Sequence, residues 1–152
     1  MKKIHFILLA LLLFSACSKD SGESDITPTD GQYITTDSEA DMLISLVLEN
    51  GVCTDFVVYT RGERFKYIPD NISTKGEYPK YRYYIDDLTI QANFSDLNSF
   101  NGTLKGILEY AIIEENMQSF GQIGFNGKEP MPFILDNNPL DANGDGLLDS
   151  KQ

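Results

Sequence analysis

The stretch Leu88-Thr89-Ile90-Gln91-Ala92-Asn93-Phe94 alternates apolar and polar residues at every step. Successive side chains of a β-strand point to opposite faces, so this period of two predicts a strand with one face in a core and the other toward solvent. The segment from Tyr81 to Phe94 as a whole is predicted to form one long strand or two. The chain is therefore expected to be built around a β-sheet.

Further strands are predicted on both sides of this segment. Residues 52–60 and 63–68 are rich in β-branched and aromatic residues and predict a hairpin. Residues 118–125 and 131–135 predict two more strands. Residues 103–115 fit a helix and a strand equally well by spacing, and their glycine and three isoleucines favour the strand.

Residues 36–51 carry the pattern of an amphipathic helix. Thr36 and Glu39 have the spacing of a capping box, and Gly51 is placed where a helix would end. One helical face would collect the apolar residues Ala40, Leu43, Ile44, Val47 and Leu48. The predicted fold class is α+β, with one N-terminal amphipathic helix packed on an antiparallel β-sheet that is open or curled into a barrel.

The N-terminus has the three parts of a secretory signal. Met1-Lys2-Lys3 is positively charged, residues 4–14 form a short apolar run, and the small residues Ser15 and Ala16 precede Cys17. The run is too short to span a bilayer comfortably. Residues 1–16 are therefore predicted to be a cleaved signal peptide.

The order Ser15-Ala16-Cys17 resembles the lipobox of bacterial lipoproteins, although Phe14 stands where that family usually has leucine. The resemblance implies that Cys17 becomes the first mature residue and carries fatty acyl chains such as palmitate. The membrane would then be a partner through the lipid anchor, and the expected location is the cell envelope, at the periplasmic face or the surface of the outer membrane. Residues 17–35 are rich in Ser, Thr, Asp and Gly and are predicted to be a lipidated, disordered tether. Residues 36–135 would form the globular domain.

Composition excludes several classes of function. The formal net charge is −11, and loss of Lys2 and Lys3 with the signal lowers it to −13, which disfavours nucleic acid as a partner. His5 is the only histidine and would leave with the signal, so a Ser-His-Asp triad and a histidine zinc site are excluded. Cys53, the one remaining cysteine, lies in an apolar run and is interpreted as a small buried residue.

The acidic tail over residues 136–152 contains one segment with the spacing of a calcium loop. Oxygen ligands would occupy loop positions 1, 3, 5, 7 and 9, with Gly146 at the sharp turn. In that order the candidate ligands are Asp141, Asn143, Asp145, the backbone carbonyl of Leu147, and Asp149. Hard oxygen ligands of this kind favour Ca²⁺ over Zn²⁺.

This segment resembles the single loops of EF-hands, dockerins and thrombospondin type 3 repeats. It departs from EF-hands at position 12, where Gln152 replaces a bidentate glutamate, and residues 136–139 do not predict an entering helix. The resemblance implies a weak Ca²⁺ cofactor with a dissociation constant of about 10⁻⁴–10⁻³ M. The alternative is a solvated acidic tail.

Candidate catalytic residues are scarce, and none is assigned. Asp86-Asp87 and Glu114-Glu115 are neighbouring acids, which point to opposite faces of a strand and are better explained as turn or surface charge. The tyrosines of residues 78–84 could stack on sugar rings or pack in the core.

Three functional hypotheses remain open. The first is a non-enzymatic, lipid-anchored envelope protein that binds a protein or glycan partner or has a structural role. The second is a lipocalin-like binder of a small apolar ligand, which needs a hollow barrel. The third is a carboxylate-dependent glycan hydrolase, which needs two acids to converge about 5–9.5 Å apart.

Overall fold

The computed structural model describes residues 25–37, 42–60, 66–114, 117–127, 129–144 and 149. These residues form ten β-strands and no helix, so the α+β prediction is wrong and the described chain is all-β. The strands are β1 (Gly31–Asp37), β2 (Met42–Glu49), β3 (Val52–Thr60), β4 (Lys66–Tyr67), β5 (Ile72–Glu77), β6 (Lys80–Ile85), β7 (Leu88–Asp96), β8 (Ser99–Glu114), β9 (Met117–Asn126) and β10 (Met131–Leu135). Across the same residues, no helix has the length and apolarity needed to cross a membrane. The predicted signal peptide and Cys17 lie outside the described residues.

The strands form one antiparallel sheet in the order β4-β3-β2-β1-β10-β8-β7-β6-β5, and β9 pairs with β8. The two ends of this path approach each other, because the backbone amide of Cys53 in β3 donates to the Thr74 hydroxyl in β5 over 3.0 Å. The sheet is thus curled into a nearly closed barrel. The outer half of β8 continues beyond the barrel wall and forms a two-stranded arm with β9.

The predicted helix over residues 36–51 is wrong, because this segment contains the end of β1, the whole of β2 and the turn after β2. Thr36, the expected capping residue, lies in β1 opposite Leu43. Asn50 and Gly51, the expected helix end, both have positive φ, 51° and 78°. They form the two-residue turn between Glu49 and Val52, a position for which Asn-Gly is strongly preferred.

The apolar spacing of β2 was misleading because both faces of this strand are buried. Met42, Ile44, Leu46 and Leu48 face the barrel interior. On the opposite face Leu43 packs in a second cluster with Val57, Tyr59 and Leu140. A strand covered on both faces is a nearly continuous apolar run, which contains apolar residues at helical spacing as well.

The sheet also begins earlier than the predicted domain boundary. β1 starts at Gly31 and lies between β2 and β10, so residues 31–35 belong to the barrel and not to the tether. The Tyr33 side chain is fully buried, and its hydroxyl donates to the carbonyls of Thr29 and Leu97. The signal for this strand was its short run of β-branched and aromatic residues.

Aromatic side chains fill the barrel interior. The alternation that predicts the strand over residues 88–94 is confirmed, since its four apolar side chains are buried and its polar ones are not. The Phe100 ring lies 4.6 Å from that of Phe133 and 4.9 Å from that of Phe94, measured between centroids. The strand assignment of residues 103–114, the hairpin of β3 with β4, and the strands near residues 118–125 and 131–135 are confirmed as well.

Candidate functional site

The outward side chains of β5 to β8 form a continuous polar surface, called here the outer face. Along β6, Tyr81, Tyr83 and Ile85 are buried in the barrel, so the residues between them must point outward. The same alternation places the polar side chains of the neighbouring strands on this side. The outer face consists of Ser73, Lys75, Glu77, Lys80, Arg82, Tyr84, Thr89, Gln91, Asn93, Asn101, Thr103 and Lys105.

Strand pairing arranges these side chains in rows across the sheet. The central row is Lys75, Arg82, Gln91 and Thr103, each opposite the next on a neighbouring strand. A second row is Glu77, Lys80, Asn93 and Asn101, and a third is Ser73, Tyr84, Thr89 and Lys105. The first two rows apart from Glu77, together with Tyr84, line a groove of about 750 Å³ that reaches Pro130.

Positive charge is concentrated on the outer face of a chain that is otherwise acidic. Every Lys or Arg side chain that the structure describes lies on it: Lys75, Lys80, Arg82 and Lys105. The Lys75 ammonium group is 5.5 Å from the centre of the Tyr84 ring, within the range of a cation–π interaction. The one acid in the rows, Glu77, lies opposite Lys80 at the turn between β5 and β6.

Five polar side chains of the first two rows make no hydrogen bonds that would hold the fold together. Within the described part of the chain, Arg82, Gln91 and Thr103 make no side-chain hydrogen bond to protein, and neither do Asn93 and Asn101. Their donors and acceptors therefore face solvent or a ligand. A flat array of amides, hydroxyls and cations is suited to binding an extended polar molecule.

A second cleft, of about 640 Å³, lies between the arm, the β6–β7 turn and the segment after β4. Its polar lining includes Asp70, Asp86, Asp87 and Glu109, and its apolar lining includes Ile68, Ile107 and Phe120. Gly106, with φ of 129°, lets β8 pass under the turn, because a Cβ there would be 2.1 Å from the Asp87 carbonyl oxygen. The acids and apolar side chains of this cleft come from four separate segments.

Asp86 in this cleft holds the loop before β5. Its carboxylate accepts a hydrogen bond from the Tyr67 hydroxyl and from the backbone amides of Asp70 and Asn71, at 3.2 and 2.9 Å for the amides. Burial acts to raise the pKa of Asp86, but the hydrogen bonds outweigh it and the pKa is lowered. Asp86 is thus ionised at neutral pH and unsuited to donate a proton. The turn interpretation of Asp86-Asp87 is confirmed; Glu115 lies outside the described residues.

The described part of the tail packs against the barrel. The Leu140 side chain is buried, and Asp141 adds to the effect of burial in raising the pKa of Tyr59. The Asp149 carboxylate accepts from the Ala142 amide at 3.0 Å, and the Asp149 amide donates to the Leu140 carbonyl at 2.9 Å. The first and last positions of the predicted calcium loop are therefore close together.

Of the three other predicted calcium ligands, the structure describes one. Asn143 is described, whereas Asp145 and Leu147 lie outside the described residues. Among the described residues, no three His, Cys, Asp or Glu side chains are grouped so that they could hold a metal ion.

Cys53 is a buried thiol, as predicted. Its side chain is 4% exposed, and burial raises its pKa to about 12. Tyr81 and Tyr83 pack in the core, whereas Tyr84 lies on the outer face. Sequence reasoning missed the cations of the outer face, although their alternation with buried tyrosines in β6 was a usable signal.

Comparison with known proteins gives no match to a family model, to a curated protein or to a solved structure.

Proposed function

We propose that this protein is a non-enzymatic, lipid-anchored binding protein of the bacterial envelope, and that its outer face binds polysaccharide. The observation that carries the proposal is the registered array of amide, hydroxyl and cationic side chains that make no hydrogen bonds within the described protein. Sugar hydroxyls both donate and accept, so they need partners of this mixed kind. The rows span three strand spacings, roughly 14 Å, which is long enough for several sugar rings.

The other two hypotheses have less support. A lipocalin-like carrier would suit the barrel-like closure, but the described interior is occupied by packed aromatic rings. A glycan hydrolase would need one carboxylate kept protonated near a second one. Asp86, the described acid with the most hydrogen-bond donors, is held ionised by them.

The anchor is proposed from the lipobox at Cys17 and would place the barrel near the outer membrane. β1 begins at Gly31, so residues 18–30 are the length of chain between the lipidated cysteine and the sheet. This short connection would keep the outer face close to the envelope surface, where polysaccharides are abundant.

We further propose that residues 141–149 bind Ca²⁺ weakly, with Asp141, Asn143, Asp145, Leu147 and Asp149 as ligands. The contact between Asp149 and Ala142 supports this, since a calcium loop must bring its ends together. Millimolar Ca²⁺ is expected to stabilise the protein by only about 1 kcal/mol, by mass action. Calorimetric titration and melting curves check this. Mg²⁺ should substitute poorly, and Asp145→Ala should remove most of the gain; an absence of both heat and Ca²⁺-dependent melting would mean a solvated tail.

Polysaccharide binding is tested by affinity electrophoresis of the full chain in gels that contain neutral or acidic polysaccharides. We expect retardation by at least one of them, and we expect the double variant Gln91→Ala/Asn101→Ala to lose it at least in part, because two amides of the array are removed. Gln118→Ala is the matched control, as it removes an exposed amide from β9 instead. If no polysaccharide retards the protein, or if all variants behave alike, the proposal fails.

A further inference from the structure

We infer that the polysaccharide bound by the outer face is acidic, with its carboxylate or sulfate groups held by Arg82 and its two lysine neighbours. This inference rests on the proposed function and adds the charge of the ligand to it. Three features of the outer face favour an acidic ligand: an unfavourable pair of like charges, the position of Arg82, and the neutral polar groups beside Arg82.

Lys75 and Arg82 lie directly opposite each other on β5 and β6. Like charges placed opposite on neighbouring strands destabilise a sheet. The described residues supply no acid in the same row, which continues from Arg82 to Gln91 and Thr103. An anion bound between the two cations would relieve their repulsion, so this arrangement favours an anionic ligand.

Arg82 is central to the cationic group. Lys75 precedes it in its own row, and Lys80 lies two residues away on the same face of β6. A guanidinium group presents a planar fork of donors that binds carboxylate and other oxyanions through two parallel hydrogen bonds. Within the described part of the chain, the Arg82 guanidinium donates no hydrogen bond to a protein acceptor, so its fork of donors is available to a ligand.

The neutral part of the array distinguishes a polysaccharide from nucleic acid. Gln91, Thr103 and Asn93 continue the rows away from Arg82, and they match sugar hydroxyls better than a second line of phosphates. The half-buried ring of Tyr84 is next to the Lys75 ammonium group, whereas stacked bases need several aromatic rings.

The experiment measures binding of the purified full-length chain, in detergent, to polygalacturonate, dextran sulfate, neutral dextran and single-stranded DNA. We expect binding to one or both acidic polysaccharides, weakened by salt, and much weaker binding to dextran and DNA. The two acidic probes distinguish carboxylate from sulfate. Arg82→Gln should weaken binding at least tenfold, because it removes a charge-assisted pair of hydrogen bonds.

Two further variants separate binding from folding. Arg82→Lys retains the positive charge but loses the planar fork of donors, so its affinity should lie between those of the wild type and Arg82→Gln. Gln118→Ala should bind like the wild type. Arg82→Gln should melt no lower than the wild type, because it relieves the repulsion with Lys75. The inference of an acidic ligand is overturned if dextran binds as tightly as the acidic polysaccharides, or if Arg82→Gln binds them as tightly as the wild type does. Either result leaves polysaccharide binding intact. DNA binding as tight as polysaccharide binding also overturns the inference of an acidic polysaccharide. Binding to none of the probes overturns both proposals.

Discussion

Phe100→Ala is expected to lower the free energy of unfolding by about 3–5 kcal/mol, the usual cost of deleting a buried phenylalanine ring. The Phe100 side chain is 1% exposed, and its ring packs against those of Phe94, Phe133 and Tyr33. Removing it would leave a cavity among aromatic rings of β1, β10, β8 and β7, which follow one another in the sheet. The melting temperature should fall by roughly 10 °C or more, as measured by circular dichroism with chemical denaturation for the free energy.

Phe120→Ala is the matched control for this change. Phe120 lies on β9 in the arm, and its side chain is 79% exposed. The same substitution there should alter the free energy of unfolding by no more than about 0.5 kcal/mol. Similar losses in the two variants would contradict the assignment of the core to the barrel interior.

A strand is most readily predicted from sequence when one of its faces is buried and the other is exposed to solvent. Residues 88–94 have this environment, and their alternation gave the correct strand and the correct core side chains. β2 does not, because both of its faces are covered. The apolar pattern of β2 therefore fits a helix as well as a strand. The residues that distinguish the two are Asn50-Gly51, which are far more typical of a tight hairpin than of a helix end.

The composition of the outer face could be predicted only in part, for a geometric reason. Alternation within β6 shows that Arg82 points away from the core, but it does not show which side chains lie next to Arg82. Lys75, Gln91 and Thr103 become its row only through the pairing register of four strands. That register depends on turns and on long-range packing, which a single sequence does not fix.

Hydrogen-bond partners distinguish a polar residue that holds the fold from one that is a candidate for binding. In the sequence, Asp86 is one of two neighbouring carboxylates. Its φ of 47° and the three hydrogen bonds that its carboxylate accepts make it a turn residue that fixes the loop before β5. Composition alone could not distinguish these roles. A polar side chain is a candidate for binding when the fold leaves it without partners, as it does for Arg82 and Gln91 within the described residues.

The largest functional change is expected from Cys17→Ala, which should abolish lipidation of the full chain. If the lipobox is processed, Cys17 is the attachment point of the acyl chains, and alanine offers no thiol for them. Each buried methylene contributes about 0.8 kcal/mol, and two or more chains are needed for a stable anchor. In a Gram-negative host fed with a labelled palmitate analogue, the wild type should carry the label, and Cys17→Ala should not.

Cys53→Ala is the control that makes this result specific, because Cys53 is the only other cysteine in the chain. Its thiol is buried in the core, and its pKa is raised to about 12, so it should be inert to modification. Cys53→Ala should keep the label and the processed size of the wild type, whereas Cys17→Ala should remain a larger, unlabelled precursor. Retention of the label by Cys17→Ala, or processing to the wild-type size, would contradict the anchor.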